Sequence, residues 1–401
     1  GLAYKEWAGY AAVANYDRHS EREYFAIRYA AGLLDVSPLY KYEFTGPDAA
    51  RLLSRIWCRD VTKLKAGRAT YSAMCDEAGH TLDDGVIVRL DELTYRVTSS
   101  EPWLFWFERF ARGLSVSITD KTDEIAALAL QGPRARAILN PLVDEDLNTL
   151  RFFRACHTRL GAAEITITRT GYTGDLGYEL WMSPHDALSI WDALMEEGGA
   201  HGIEPMGLDA LDVSRIEAGF ILQGVDYICA DRCLVDRLKS TPFEAGLGGT
   251  VDLDRAPFVG QRALQEEAKR GSEWHLVGLE FSWPELEALY ASYGLPPHLA
   301  PCASRDALPL YDPSGQRQIG QVTSSTWSPR LKRYIALGQV KQSYEAIGTR
   351  LKVEHTVAFE RRTVTATVVP SPFYAPKHAR TTPKRSLDSA SQPQDKVVSH
   401  G

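Results

Sequence analysis

The chain has 401 residues, 44% of them hydrophobic and 24% charged, proportions that fit a soluble globular protein and exclude a disordered chain, a collagen-like fibre and a coiled-coil rod. At roughly 100–200 residues per domain the length predicts two or three domains with a large buried core. The net charge of -7, from 52 acids against 45 bases, favours solubility and argues against nucleic acid as a partner. No stretch approaches the ~18–20 uninterrupted apolar residues needed to span a bilayer. The opening Gly1-Leu2-Ala3-Tyr4-Lys5-Glu6 carries no apolar region of the secretory kind, and no initiator Met, so an upstream segment is expected. Six cysteines, at 58, 75, 156, 229, 233 and 302, are too sparse for a disulfide scaffold, and a reduced, cytoplasmic protein is expected.

In chain order, residues 21–31 read as a helix ended by Gly32. A second helix starts at Pro47, where a missing N–H costs nothing. Residues 85–90 and 94–98 read as strands around an Asp-Glu turn, and 164–168 alternate cleanly as another strand. Ser183-Pro184-His185-Asp186 opens a helix whose apolar face is Ala187, Ile190, Trp191 and Leu194, with Gly198 as its stop. Beyond about 270 the texture changes to short strand-like runs at 275–281, 318–323, 334–340, 350–354 and 362–369, which predict a separate all-β unit, a small barrel or sandwich. Residues 282–306 interrupt it as an insertion holding a short acidic helical stretch, and from about 376 to Gly401 the composition is that of a disordered tail.

Several isolated signals carry no chemistry. Cys229-x-x-x-Cys233 has no second Cys pair or His-x-His cluster to complete a four-ligand zinc site, so no metal is expected. Cys156-His157 reads as ordinary packing. There is no phosphate-cradling Gly-x-x-x-x-Gly-Lys-Ser/Thr motif and no nucleophile elbow, and Gly246-Leu247-Gly248-Gly249 reads as a tight turn.

Three segments stand out. Arg68-Ala69-Thr70-Tyr71-Ser72-Ala73-Met74 is followed by Leu82-Asp83-Asp84-Gly85-Val86. Paired acids at a strand start either cap backbone N–H groups in a turn or hold an acid, partly desolvated, at a pocket mouth. Arg169 to Leu180 brackets Tyr172 and Tyr178, with Asp175 and Glu179, by three glycines. That composition fits either a twisted hairpin with aromatic pairs or a backbone that approaches a flat ligand, with a carboxylate accepting two N–H bonds from an amide-like ring edge. Gly207 to Gly219 reads as a helix in which Arg215 and Glu217 are packing charges.

Together these segments resemble the tetrahydrofolate-dependent aminomethyltransferase family, typified by the glycine-cleavage T-protein. The resemblance rests on Gly171-Tyr172-Thr173-Gly174-Asp175-x-Gly177-Tyr178-Glu179, Asp35-Val36-Ser37, Arg59-Asp60-Val61, Ala129-Leu130-Gln131-Gly132-Pro133 and Arg215-x-Glu217-Ala218-Gly219. In the C-terminal part it rests on Ile319 to Ser324, Ser328-Pro329 and Ala336-Leu337-Gly338. It covers about residues 20–375. It implies an α+β fold of three lobes: a folate-binding region of ferredoxin-like elements over 1–270, then a C-terminal β-barrel over 271–375, with 376–401 as the tail. It also implies tetrahydrofolate as cofactor, Asp84 as the catalytic group, Glu179 as the residue holding the pterin ring, and Tyr71, Val86, Leu39 and Tyr172 as pocket residues.

The departures from the family pattern fall on the donor side. The family's Asp-Val-Ser-His-Met becomes Asp35-Val36-Ser37-Pro38-Leu39, a family Arg falls on Leu211, and a family Tyr falls on Gln223. Losing an Arg removes a bidentate charge partner. The expected activity is transfer of a methyl or aminomethyl group to tetrahydrofolate. The partner is then a small methyl donor, as in the family's demethylases, or a lipoyl carrier protein, with neither nucleic acid nor membrane involved. The alternatives are a non-catalytic folate-binding protein and a folate module working with a dimethylglycine- or sarcosine-oxidising flavoprotein.

Overall fold

The structure, a computed structural model, describes residues 1, 3–300 and 302–383. Alternation of apolar and polar residues builds its first sheet: in Ala163–Thr168 the residues Ala163, Ile165 and Ile167 point into the core. Six strands lie in the order Ala155–Leu160, Ala163–Thr168, Gly177–Met182, Ala126–Gln131, Ala31–Asp35 and Ile203–Pro205. Only the last pair is parallel. The helix Ala187–Gly198 closes one face through Ile190 and Leu194.

A second, fully antiparallel sheet runs Arg68–Cys75, Thr81–Arg89, Thr94–Ser99, Tyr40–Thr45 and Ser117–Asp120. Leu52, Leu53 and Ile56 of the helix Ala49–Ile56, with Phe107 of Leu104–Ala111, pack on its Tyr42, Phe44, Ile87 and Val97. The third unit is a closed barrel in the order Trp274–Phe281, Arg333–Lys341, Gln318–Ser328, Leu308–Tyr311, Arg350–Val357 and Glu360–Val369. The α+β class and the C-terminal barrel are those the sequence implied.

The differences are local and have physical causes. The helix expected over 21–31 stops at Tyr29, and Gly32 lies inside the strand Ala31–Asp35. A Cβ on Gly32 would meet Met206 Sδ at 2.6 Å, so this glycine serves a close approach rather than a helix stop. The helix expected at Pro47 begins at Ala49. Its Asp48 bonds across to Ser115 N at 2.8 Å. The barrel strand Leu308–Tyr311 escaped notice because it is four residues long and carries Pro309. The expected insertion holds the helix Trp283–Ala291.

The packed chain continues past 376. Arg169, fully buried, donates to Ala379 O at 3.1 Å, Thr381 O at 2.7 Å and Leu150 O at 2.9 Å, with Lys377–Arg380 forming a short helix. The rest of the expected tail, 384–401, lies outside the described residues. Among the described residues no helix is long and apolar enough to cross a membrane.

Candidate functional site

Neighbouring residues in a strand face opposite ways, and the strand Thr81–Arg89 uses this to separate its two acids. Asp83 points into the protein and is fully buried. It accepts from Trp103 Nε1 at 2.7 Å, Ser100 Oγ at 2.6 Å, and the backbone N–H groups of Ser100 and Glu101, each at 3.2 Å. Burial, then the charge of Asp84, pushes its carboxyl up to about 7 against the pull of those donors. Asp83 therefore does the capping work that one view of the acid pair predicts.

Asp84 faces the other side and is half-buried. Tyr71 OH donates to its Oδ2 at 2.6 Å, and Tyr227 OH donates to its Oδ1. Tyr71 reaches it diagonally, since Ala73 is the residue directly opposite Asp84 and Tyr71 is opposite Val86. Burial raises Asp84 above the usual carboxylate range, and the two phenols pull it back. Burial and the Asp84 charge raise both phenols well above their ordinary value, so both stay protonated donors.

Glu179 arrives from the first sheet. The glycines of its motif make room for one side chain: a Cβ on Gly171 or Gly177 would lie 2.0 or 2.2 Å from Gln131 Oε1. Gln131 in turn accepts from Thr173 Oγ1 at 3.0 Å, which ties the motif to the strand Ala126–Gln131. Glu179 Oε2 accepts from Thr170 Oγ1 at 2.5 Å and Thr168 Oγ1 at 3.4 Å. Burial raises its carboxyl, and those hydroxyls oppose the rise. Val86, Val88 and Arg96 of the second sheet face Glu179, Thr168 and Trp181 of the first across a cleft.

Of the predicted residues, Tyr71 and Asp84 are bonded, and Val86 shares the cleft with Glu179. Tyr172 stacks on Phe220 with centroids 5.7 Å apart, donates to Ile221 O, and feels the charge of Asp84. Leu39 is partly buried against the cluster that holds Leu34, Val36, Met206 and the cleft residue Trp181, beside which Leu211 also packs. Gln223 Nε2 donates to Leu82 O at 3.1 Å, and its Oε1 lies against Ser100 Oγ.

Arg215 and Glu217 are packing charges, as expected. Arg215 pairs with Asp212 at 2.7 Å and with Asp226, and Glu217 with Arg28 at 2.7 Å. Sequence reasoning missed Tyr227, Trp103 and the threonines at 168 and 170. Only the threonines stood in a segment already marked. Among the described residues no group of three or more His, Cys, Asp or Glu could hold a metal ion.

This geometry has relatives. Residues 2–255 match the GCVT N-terminal domain, and 296–375 match the glycine cleavage T-protein C-terminal barrel domain. An aminomethyltransferase of Rubrobacter xylanophilus is 37% identical over 381 residues, 94% of this chain and 92% of that protein. A trimethylamine-oxide aldolase of Ruegeria pomeroyi is 35% identical over 89% of this chain, which spans 43% of that longer protein. The crystal structure of glycine cleavage system aminomethyltransferase T from Bartonella henselae superposes with a TM-score of 0.79 at 26% identity, covering 94% of this chain and 95% of that one. The chain is therefore an enzyme of the one-carbon transferase class. It belongs to the glycine-cleavage T-protein family of aminomethyltransferases.

Proposed function

We propose that this enzyme moves a methyl or aminomethyl group from a donor to tetrahydrofolate bound in the cleft between the two sheets, with Asp84 and Glu179 as the working carboxylates. The observation that carries it is the pair of opposed walls, Val86 and Val88 from one sheet and Glu179 from the other, with Asp84 two residues before Val86 on the same strand. As it stands the cleft holds only about 10 Å³, so a flat heterocycle enters it only if the side chains of its walls part. Val86, Val88 and Trp181 supply apolar surface, and both threonine hydroxyls sit on Oε2 of Glu179, which leaves Oε1 to accept N–H groups from a ring edge.

Tetrahydrofolate supplies the nucleophilic nitrogen, so the protein needs no Ser or Cys nucleophile. Glu179 fixes the ring. Asp84 takes up a proton or balances positive charge beside the reacting carbon. Tyr71 and Tyr172 keep water from that carboxylate, and closeness of donor and acceptor supplies the remaining acceleration.

Leu211 and Gln223 stand where the family has Arg and Tyr, and neither offers a charge to a carrier arm. A small N-, O- or S-methyl donor fits this side better, and the Ruegeria relative, named for trimethylamine oxide, supports a small donor. As the new nitrogen–methyl bond forms, the methyl group's bond to the donor breaks, the demethylated donor leaves with the proton that the folate nitrogen gives up, and the product is 5-methyltetrahydrofolate. All six cysteines are unpaired, which supports a reducing, cytoplasmic setting. The test is incubation with tetrahydrofolate and a panel of methylated amines, ethers and thioethers, alongside an aminomethylated lipoyl carrier protein, with folate products separated by mass spectrometry. Turnover with the carrier alone would overturn the small-donor assignment.

A further inference from the structure

Tyr227 lies 143 residues from Asp84 in sequence, yet its hydroxyl donates to that carboxylate's Oδ1. It is almost fully buried, and nothing in its motif segment marks it. It sits on the loop 220–227, which follows the helix Leu208–Glu217. That loop is anchored firmly. Asp226, the residue before Tyr227, accepts from Leu222 N at 2.9 Å and Ser324 Oγ at 2.7 Å and pairs with Arg215, while Gly224 N donates to Tyr227 O at 2.7 Å. The same loop reaches the other acid through Ser100, whose Oγ donates to Asp83 Oδ1 at 2.6 Å and lies against Gln223 Oε1. One loop therefore grips both members of the acid pair.

The side chains facing Asp84 are Tyr71 and Tyr227, with Tyr172 near enough to feel its charge, while Asp83, on the opposite side of the strand, accepts from Asp84 only its backbone N–H, at 2.8 Å. Among the described residues no lysine, arginine or histidine forms an ion pair with it. A partly desolvated carboxylate beside a second one, without a cation, tends to take up a proton and lose its use as a base. Among the described residues the groups that favour its charge are the two phenols. Both also pack in the apolar cluster of Ile221, Leu247 and Phe258, Tyr227 inside it and Tyr71 at its edge.

We propose that Tyr227 is a positioning residue for Asp84, whose hydroxyl holds the carboxylate charged and turned towards the cleft. This rests on Asp84 being the working acid, but its test needs neither donor nor folate. Protein labelled with 13C at the aspartate carboxyls is titrated between about pH 3 and 9, and the Asp84 signal is assigned by its loss in Asp84→Asn. In Tyr227→Phe the Asp84 midpoint rises by about one pH unit, the loss of one hydrogen bond to the charged form. Replacing Tyr227 with 3-fluorotyrosine keeps the packing, makes the phenol a stronger donor and lowers the midpoint, so this arm decides the matter even if the Phe variant does not fold. An Asp84 midpoint unmoved by the fluorinated residue, or by a folded Phe variant, overturns the proposal and leaves Tyr227 as packing alone. Failure of the wild type to bind tetrahydrofolate would instead defeat the functional assignment, with the titration result still standing.

Discussion

Arg28 Nη2 lies 2.7 Å from Glu217 Oε2, and neither side chain has any exposed surface. The pair joins the helix Glu21–Tyr29 to the helix Leu208–Glu217. Arg28 also donates to Thr173 O at 2.8 Å, inside the glycine motif that carries Glu179, and Ser328 of the barrel donates to Glu217. One buried ion pair thus links the first sheet, the helix Leu208–Glu217 and the barrel.

Breaking a buried pair strands a charge, which costs about 3–5 kcal/mol, whereas replacing both partners costs far less. Glu217→Ala leaves Arg28 only the more distant Asp175, at 3.8 Å, as a counter-charge, and is expected to lose the larger part of that amount in urea unfolding. The double variant Arg28→Met with Glu217→Met is expected to recover most of the loss. Equal losses in the single and double variants would show that the cation is not stranded.

Asp84→Asn keeps the shape of the side chain and removes its charge. Transfer to tetrahydrofolate is expected to fall by about 10²–10⁴-fold, with folding and tetrahydrofolate affinity changed little. Product formation followed by mass spectrometry checks it; unchanged turnover removes Asp84 from the chemistry.

Lys41 is fully buried, with its Nζ donating to Ser37 O at 2.6 Å and Thr122 O at 3.3 Å. Burial lowers its ammonium from 10.5 to about 8. The unfolded chain then holds the proton more tightly between those two values, so the Lys41 contribution to stability rises with pH across that window. At about 1.4 kcal/mol per pH unit this amounts to about 3 kcal/mol over the whole span. Urea midpoints at pH 7.5 and 10, or about those values, should therefore differ in wild type relative to Lys41→Met, with the variant gaining on the wild type at the lower pH. A constant difference between the two proteins would contradict this.

Arg169 holds residues 379–382 through two carbonyls and the Thr382 hydroxyl. Arg169→Met should release this segment, and limited proteolysis should then cut near 376–383 in the variant well before the wild type. Equal cutting times would show that the segment is held by other contacts.

How much of this was legible in the sequence depends on range. Alternation at 164–168 and the clustered short runs beyond 270 revealed a sheet strand and a barrel, because those patterns are local. Gly32 looked like a helix stop because its real constraint, Met206 against its missing Cβ, lies far along the chain. The acid pair was visible as a pair, but which acid faced the cleft is set by strand parity relative to Trp103 and Tyr71, which no local pattern states. Glu179 stood inside a conspicuous glycine motif. Tyr227 did not, since its meaning is a single hydroxyl brought to Asp84 by a loop that Asp226 and Arg215 hold.

The central claim is that folate lies against Glu179, and calorimetric titration with tetrahydrofolate of wild type and Glu179→Ala tests it most directly. Each hydrogen bond to a buried carboxylate contributes about 1.5–3 kcal/mol, so clear binding by the wild type and about 10–100-fold weaker binding by the variant are expected. A folded wild type that binds no tetrahydrofolate, or a variant that binds it equally well, would contradict the account.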